Sequence, residues 1–477
     1  MEIDIAKPRA VKAKSRAELR IADELRKIAA KLGAGTLFPS VRELAQRYRA
    51  SPVTVHRALS QLSREGLLVA RPGDGTYVAR PVETVARDSS WQLTVLGSAP
   101  DALSADVFEP PASGQLVLGS GYPDVSLQPL ALLAKAARRA AARERAWDRL
   151  APEGNPELRA WFARDVGGGA KAEDVILVSG GQAALAATFR TLVPFGGPIL
   201  LESPTYFGAL GIARSLGLRP IPVPVDDEGI RTDLLQAAFA SSGARALYLQ
   251  PAFSNPTGVT LSETRRREVV ELAERVGAFV IEDDYARDLA LAAAPPAPLF
   301  RGGSDHVVYL RSLTKSTAPG LRVAGIVAKG PVRRRLRLLR ATEDWFFAGL
   351  LQDTALELVS AASWQRHAFE LRQVLRARRQ AAVDALARHF PSATLKRVPD
   401  GGFSLWVALP DGIDDGEFTR AAASEGVQVT PGTPWFAAEP AGAFVRISIA
   451  GASASDLARG IEILGGPALR RARRAAR

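Results

Sequence analysis

The sequence predicts an α/β protein: a mostly parallel sheet covered by helices, with polar groups gathered at the C-terminal ends of its strands, preceded by a small basic helical module. Three observations lead to this. Between residues 116 and 385, strand-like apolar runs alternate with helical ones, as a sheet with crossover helices requires. The run Val307-Val308-Tyr309-Leu310 reads as a buried parallel strand and is followed by Ser312, Thr314, Lys315 and Arg322. Finally, the first 80 residues hold 16 Lys and Arg against 8 Asp and Glu, so eight of the chain's twelve net positive charges lie there.

A chain of 477 residues, 47% hydrophobic and 23% charged, is long enough for two or three domains with a substantial core. It has no cysteine, which excludes disulfides, zinc-thiolate sites and thiol catalysis. Its four histidines (His56, His306, His367 and His389) are scattered without ligand spacing, and no metal site is expected. No apolar run approaches membrane-spanning length, and the opening MEIDIAKPRAVKAK lacks the apolar core of a signal peptide. The expectation is a cytoplasmic protein without membrane contact.

In residues 1–80, Leu19, Ile21, Ala22, Leu25, Ile28 and Ala29 fit one face of a first helix, which Gly33 and Gly35 interrupt. Ser40 and Glu43 have the spacing of a capping box and predict a second, short helix. Ser51 is the next N-cap, and Pro52 suits the first helical position, where its missing N–H costs nothing. In this third helix Val55, Ala58, Leu59 and Leu62 form one stripe, leaving Thr54, His56 and Arg57 to face outward. Two helices joined by a short turn, the second presenting polar groups from its first turns, is the arrangement that enters a DNA major groove. Residues 68–78 read as two short strands around a Gly-rich turn, a wing with Arg71 placed for a backbone phosphate. The segments FPSVRELAQRY, SPVTVHRALSQLSREGLL and RPGDGTYVA resemble the winged helix-turn-helix of GntR-type transcription regulators. That resemblance implies double-stranded DNA as a partner and puts Arg42, Thr54, Arg57 and Gly75 at contacting positions. Phe38 stands where the family usually has leucine, a core change. The alternative is three packed helices with no DNA role.

Residues 81–115 are rich in Pro, Ser, Ala and Asp without a sustained period and read as a connector, with one ordered piece at 91–96.

In the large domain, 116–385, strand-like runs fall at 175–178, 198–201, 220–223, 246–249, 278–281, 307–310 and 322–328, and most end in a polar or aromatic group. Gly180-Gly181-Gln182 opens a helix whose free N–H groups form an anion site. Tyr206 puts a ring on a loop, Asn255-Pro256-Thr257-Gly258 is a turn fixing an amide, and 278–281 runs into Asp283-Asp284-Tyr285. At a sheet end, where open α/β sheets bind ligands, a lysine can hold a carbonyl cofactor as a Schiff base, with Ser312, Thr314 and Arg322 offering donors to a phosphate. A carboxylate is what a pyridine nitrogen needs to stay protonated. Together these are the needs of pyridoxal 5'-phosphate (PLP). Each motif alone has a plain explanation: a solvated Lys/Arg pair, a turn, an exposed strand end. Their joint occurrence in order is the signal.

Over residues 116–465 the chain resembles fold type I PLP-dependent aminotransferases. The resemblance implies that Lys315 carries the cofactor, that Asp283 pairs with its pyridine nitrogen, that Asn255 and Tyr285 bond its ring hydroxyl, and that Tyr206 stacks on the ring. It implies that Gly181, Gln182, Ser312 and Arg322 hold the phosphate. Gly121-Tyr122-Pro123-Asp124 fits the family's entry motif. A tyrosine that the family often has just ahead of the glycine matching Gly154, reaching the partner subunit's phosphate, is replaced here by Arg149 and Leu150, and Arg149 is the available substitute.

Residues 386–477 offer shorter strands at 402–407, 427–429 and 444–449 between helices, a smaller subdomain folding back on the large one, and a basic tail expected to be a frayed end. Arg446 lies inside an apolar strand, where an arginine is rarely buried without an anionic partner. The resemblance makes it the clamp for a substrate carboxylate; an internal salt bridge is the alternative.

A GntR-like module joined to an aminotransferase-like body resembles the MocR/GabR-type transcription regulators. That resemblance implies a homodimeric, PLP-dependent regulator that reads paired DNA half-sites and senses an amine or amino acid at Lys315, or PLP itself. The rival reading is an aminotransferase with an accessory DNA-binding module.

Overall fold

The computed structural model describes residues 16–79, 91, 92, 95, 114–292, 294–300 and 304–475. The connector expected over 81–115, with its ordered piece at 91–96, lies almost wholly outside them. The chain forms two compact units, residues 1–98 and 99–477. Among the described residues no helix is long and apolar enough to cross a membrane.

In the first unit, helices α1 (Arg16–Lys31), α2 (Val41–Tyr48) and α3 (Pro52–Arg64) enclose Ile21, Leu25, Leu44, Val55, Ala58 and Leu62, all buried. Each such aliphatic side chain larger than alanine contributes about 1.5–3 kcal/mol by leaving water. Both expected caps form: the Ser40 N–H donates to Glu43 at 2.8 Å while the Ser40 hydroxyl accepts the Glu43 N–H, and the Ser51 hydroxyl accepts the Thr54 N–H at 3.2 Å. The wing consists of β2 (Leu68–Arg71) and β3 (Gly75–Val78), with Leu68 opposite Val78 and Arg71 opposite Gly75. A third strand that sequence did not indicate, β1 (Leu37–Phe38), pairs antiparallel with β3. Two residues carry no periodicity; burial of the Phe38 ring holds this strand in place.

The second unit begins with β4 (Leu116–Val117). Its main sheet contains β5 (Val175–Val178), β6 (Pro198–Ser203), β7 (Arg219–Asp226), β8 (Gly229–Ile230), β9 (Ala246–Leu249), β10 (Phe279–Asp284), β11 (Val307–Ser312) and β12 (Ala324–Val327). Their spatial order is β5-β12-β11-β10-β9-β6-β7-β8. The pairs from β11 through to β7 are parallel; β12 is antiparallel to both neighbours, and β8 to β7. Strands β5, β9, β11 and β12 are buried along their whole length, which is why they read as unbroken apolar runs. The smaller lobe holds β13 (Thr394–Leu395), β14 (Ser404–Ala408), β15 (Val427–Gln428), β16 (Thr430–Pro431) and β17 (Phe444–Ser448).

Three expectations change. The boundary at residue 385 falls inside one continuous helix, Ala362–His389, because its buried side chains run without interruption from Trp364 to Leu386. The segment after residue 116 belongs with the small lobe: β4 pairs with β15, and Leu118 and Leu127 join the small-lobe core. The basic tail is a helix, Leu469–Ala475, since Leu469 and Ala472 pack into that core and Arg471 meets Glu425 at 3.5 Å.

Candidate cofactor and DNA sites

The sheet's parallel register builds the site. Strands β10 and β11 run side by side with Asp283 opposite Leu310, so Asp283 and the Ser312–Lys315 stretch reach the same edge. The pleat then separates the two neighbouring carboxylates. Asp283 shares a face with Ile281, which pairs with Tyr248 on β9, and the Tyr248 hydroxyl donates to Asp283 Oδ2 at 2.8 Å. Gln250 Nε2 donates to the same oxygen at 2.8 Å, leaving Oδ1 without a partner among the described residues. Asp284 points the other way and takes the Tyr309 hydroxyl at 2.7 Å, beside Arg287 and Arg311. Burial pushes Asp283 up to about 6, with the Gln250 and Tyr248 donors opposing it.

Lys315 is packed at the centre. Its Nζ donates to the Gly121 carbonyl at 2.8 Å and sits 3.8 Å from the centre of the Tyr122 ring. It makes no ion pair among the described residues; burial first, then the nearby Arg446, lower its pKa to about 7. A lysine with a readily available neutral amine is what condensation with a carbonyl needs.

Beyond β5, Gly180 takes φ +90° and ψ 174°, a conformation nearly confined to glycine. A Cβ there would lie 2.8 Å from the Arg322 guanidinium, whose Nη2 donates to the Ser179 carbonyl at 3.1 Å. Gly181 and Gln182 open the helix Gly181–Leu192, and a Cβ on Gly181 would lie 3.8 Å from Ser312 Cβ. Gly181, Ser312 and Arg322 thus converge on one helix N-terminus, a ready anion site. Gln182 is already engaged through Nε2 with the Tyr206 hydroxyl at 2.7 Å, which braces the Tyr206 ring from the phosphate side.

Asn255 and Tyr285 each have a protein partner. Asn255 Oδ1 accepts the Ser404 hydroxyl at 3.0 Å, and the Tyr285 hydroxyl donates to the Phe253 carbonyl at 2.7 Å. The side-chain Nδ2 of Asn255 remains without a partner among the described residues.

Arg446 lies on β17 between Thr430 and Trp406 and is 3% exposed. Nη2 donates to the Gly119 carbonyl at 2.5 Å, Nη1 approaches Ser404 Oγ at 3.5 Å, the guanidinium sits 5.0 Å over the Trp435 ring, and Nε is buried without a hydrogen bond. It forms no ion pair among the described residues, so the alternative of an internal salt bridge does not hold there. Burial lowers its pKa to about 10. Arg149 is exposed, 5.0 Å over the ring of Trp345.

In the first unit Arg42 is exposed in the first turn of α2 and Arg57 is exposed midway along α3, and the Thr54 hydroxyl lies 2.9 Å from that of Ser51. Arg71 stacks at 4.6 Å on Tyr77 and lies 3.8 Å from Asp74. Gly75 has φ +127°, a conformation strained for any residue with a side chain; a Cβ there would lie 2.7 Å from the tip of the exposed Leu37 side chain.

Sequence reading passed over Tyr248, Gln250 and Trp435. The two-residue spacing of Tyr248 and Gln250 places them on one strand face, but only the pairing of β9 with β10 shows that this face looks toward Asp283.

The open oxygen of Asp283, the cradle around Gly180 and the unmatched Arg446 fit a ligand with a pyridine nitrogen, a phosphate and a further carboxylate. Comparison with known proteins agrees. Residues 113–464 match the family Aminotransferase class I and II, and residues 17–78 match Bacterial regulatory proteins, gntR family. The HTH-type transcriptional regulator YdfD of Bacillus subtilis is 29% identical, covering 90% of this chain and 91% of its own. The HTH-type regulator YisV of the same organism is 30% identical, covering 90% of each. The α-aminoadipate aminotransferase LysN of Thermus thermophilus, solved with N-(5'-phosphopyridoxyl)-L-leucine, is 32% identical with a TM-score of 0.71, covering 75% of this chain and 92% of that one. A gntR-type DNA-binding segment and an aminotransferase body on one chain, aligned over nine tenths of its length with HTH-type transcriptional regulators, make this a MocR-type transcription regulator with PLP as its cofactor.

Proposed function

We propose that the protein is a cytoplasmic homodimer that binds a two-part operator through residues 1–80 and senses an amino acid, or an amine bearing an anionic group, at Lys315. The observation that carries this reading is Arg446, a buried guanidinium with a free Nε and no acidic partner among the described residues, in the same site as Lys315. An effector carboxylate is the partner that removes this cost, since an uncompensated buried charge is strongly unfavourable.

Held at Lys315, PLP would supply an electrophilic carbon that primary amines capture and a ring that withdraws electrons. Asp283 holds a proton on the ring nitrogen, Tyr206 covers the ring, and Asn255 and Tyr285 take the ring hydroxyl. Gly181, Gln182, Ser312 and Arg322 hold the phosphate. Arg149, exposed over the Trp345 ring, is the residue available to take the place of the tyrosine that in the family reaches the partner subunit's phosphate. Arg446 orients the effector so that its amine faces the lysine. Because Arg446 and Gly119 belong to the small lobe and Lys315 and Asp283 to the sheet, an effector held at both ends favours one relative placement of the lobes. A ligand shifts such an equilibrium by its differential affinity for the two placements, and DNA affinity follows. On DNA, Arg57 and Thr54 face base edges, and Arg42, Arg71 and the wing turn at Gly75 face phosphates.

The test is a spectral screen of amines and amino acids against the holoprotein, run beside operator binding and a multiple-turnover assay with an amino donor and 2-oxoglutarate. An effector that changes both the spectrum and DNA affinity without sustained turnover supports the regulator. Rapid turnover with DNA affinity unmoved by any amine favours the enzyme. Sedimentation as a monomer under DNA-binding conditions counts against the homodimer.

A further inference from the structure

We propose that Gln250 is a positioning residue for the cofactor, one amide that sets the Asp283 carboxylate and the Asn255 backbone together at two polar edges of the pyridine ring. The proposal rests on the reading of Asp283 and Asn255 as the ring's partners. Gln250 follows β9 and is 2% exposed. Its Nε2 donates to Asp283 Oδ2 at 2.8 Å, its Oε1 accepts the Asn255 N–H at 2.9 Å, and its own N–H donates to Glu202 Oε2 on β6 at 2.9 Å. Three bonds thus join β6, β10 and the 251–258 turn through one residue, whose side-chain amide offers a donor and an acceptor on the same planar group.

The consequence for Asp283 follows from geometry. Gln250 and Tyr248 both donate to Oδ2, which fixes the carboxylate rotamer and turns Oδ1 to the open side. Neutral donors also favour the charged form of a carboxylate that burial would otherwise neutralise. A leucine or methionine at 250 would fill a similar volume, leave Asp283 with one donor and strand the Asn255 N–H. The Asp283 carboxylate would then be less firmly charged and the ring nitrogen would hold its proton less well. With a less positive ring, the nitrogen shared with Lys315 keeps its own proton to higher pH.

The experiment uses the full chain loaded with PLP. The pH midpoint of its visible absorption and its affinity for PLP are measured for wild type, Gln250→Leu, Gln250→Met and Asp283→Asn. Both Gln250 variants should raise the midpoint and, because the carboxylate that pairs with the ring nitrogen is then less firmly charged, weaken PLP binding by about tenfold, the equivalent of one pKa unit in that pairing. Asp283→Asn should move the midpoint the same way and further. If Asp283→Asn moves both readings and whichever Gln250 variant folds moves neither, the role of Gln250 is overturned while Asp283 keeps its place. If Asp283→Asn also moves neither, both assignments fall.

Discussion

Lys315 and Arg446 are tethered to one short stretch of backbone: Nζ of Lys315 donates to the Gly121 carbonyl at 2.8 Å, and Nη2 of Arg446 to the Gly119 carbonyl at 2.5 Å. That stretch continues β4, which pairs with the small lobe, so a small-lobe segment reaches into the sheet's active edge and holds both cations. A buried guanidinium beside a partly buried lysine, with no carboxylate ion-paired to either among the described residues, is costly on its own, and a ligand carrying anionic groups relieves it.

Lys315→Met should abolish the visible absorption of the purified protein while leaving it folded, and should change how apo-protein stability varies with pH. The folded pKa of Lys315, about 7, lies below its ordinary value of 10.5. As pH falls from 10.5 toward 7 the unfolded chain therefore takes a proton that the folded chain does not. Stability drops over that window by up to about 1.4 kcal/mol per pH unit and then levels off. Denaturant melts of the two apo-proteins between pH 7 and 10 check this: the variant should lack that component of the slope.

Arg446→Ala should keep PLP and lose the amino-acid response, weakening effector binding by about 2–5 kcal/mol, as for truncating one partner of a buried charge pair. Because the guanidinium has no ion-pair partner among the described residues, its removal should leave the melting temperature nearly unchanged or raise it. A spectral titration beside a thermal melt reads both, and an unaltered effector response would count against the clamp.

Gly180→Ala should lower PLP affinity at least tenfold. Its φ of +90° and ψ of 174° cost a non-glycine residue about 1–3 kcal/mol. The new methyl would also displace Arg322 from 2.8 Å away. Equilibrium dialysis against PLP measures the loss, and wild-type affinity would remove Arg322 from the phosphate site.

Arg57→Ala should weaken specific operator binding by about 1–3 kcal/mol and relax specificity at one base position, whereas Arg71→Ala should weaken binding evenly and reduce the salt slope by about 1. Fluorescence anisotropy across a salt series separates the two. An Arg57→Ala variant with unchanged operator affinity would displace α3 as the reading helix.

By itself the sequence determined the caps at Ser40 and Ser51, the stripe of α3 and the chain order of the strands with their polar ends, and it pointed to Lys315 as the candidate centre, because these signals are local. Capping, periodicity and strand-end chemistry act over a few residues. The family resemblance already implied Asp283 over Asp284; the tertiary structure supplied the physical reason, since the pleat alternates and only the registers with β9 and β11 fix its phase. It also decided that Arg446 has no ion-pair partner among the described residues, that Gln250 bridges Asp283 and Asn255, and that residues 116–127 complete the small lobe. Those outcomes depend on contacts between segments far apart in the chain, where no short-range pattern can register them.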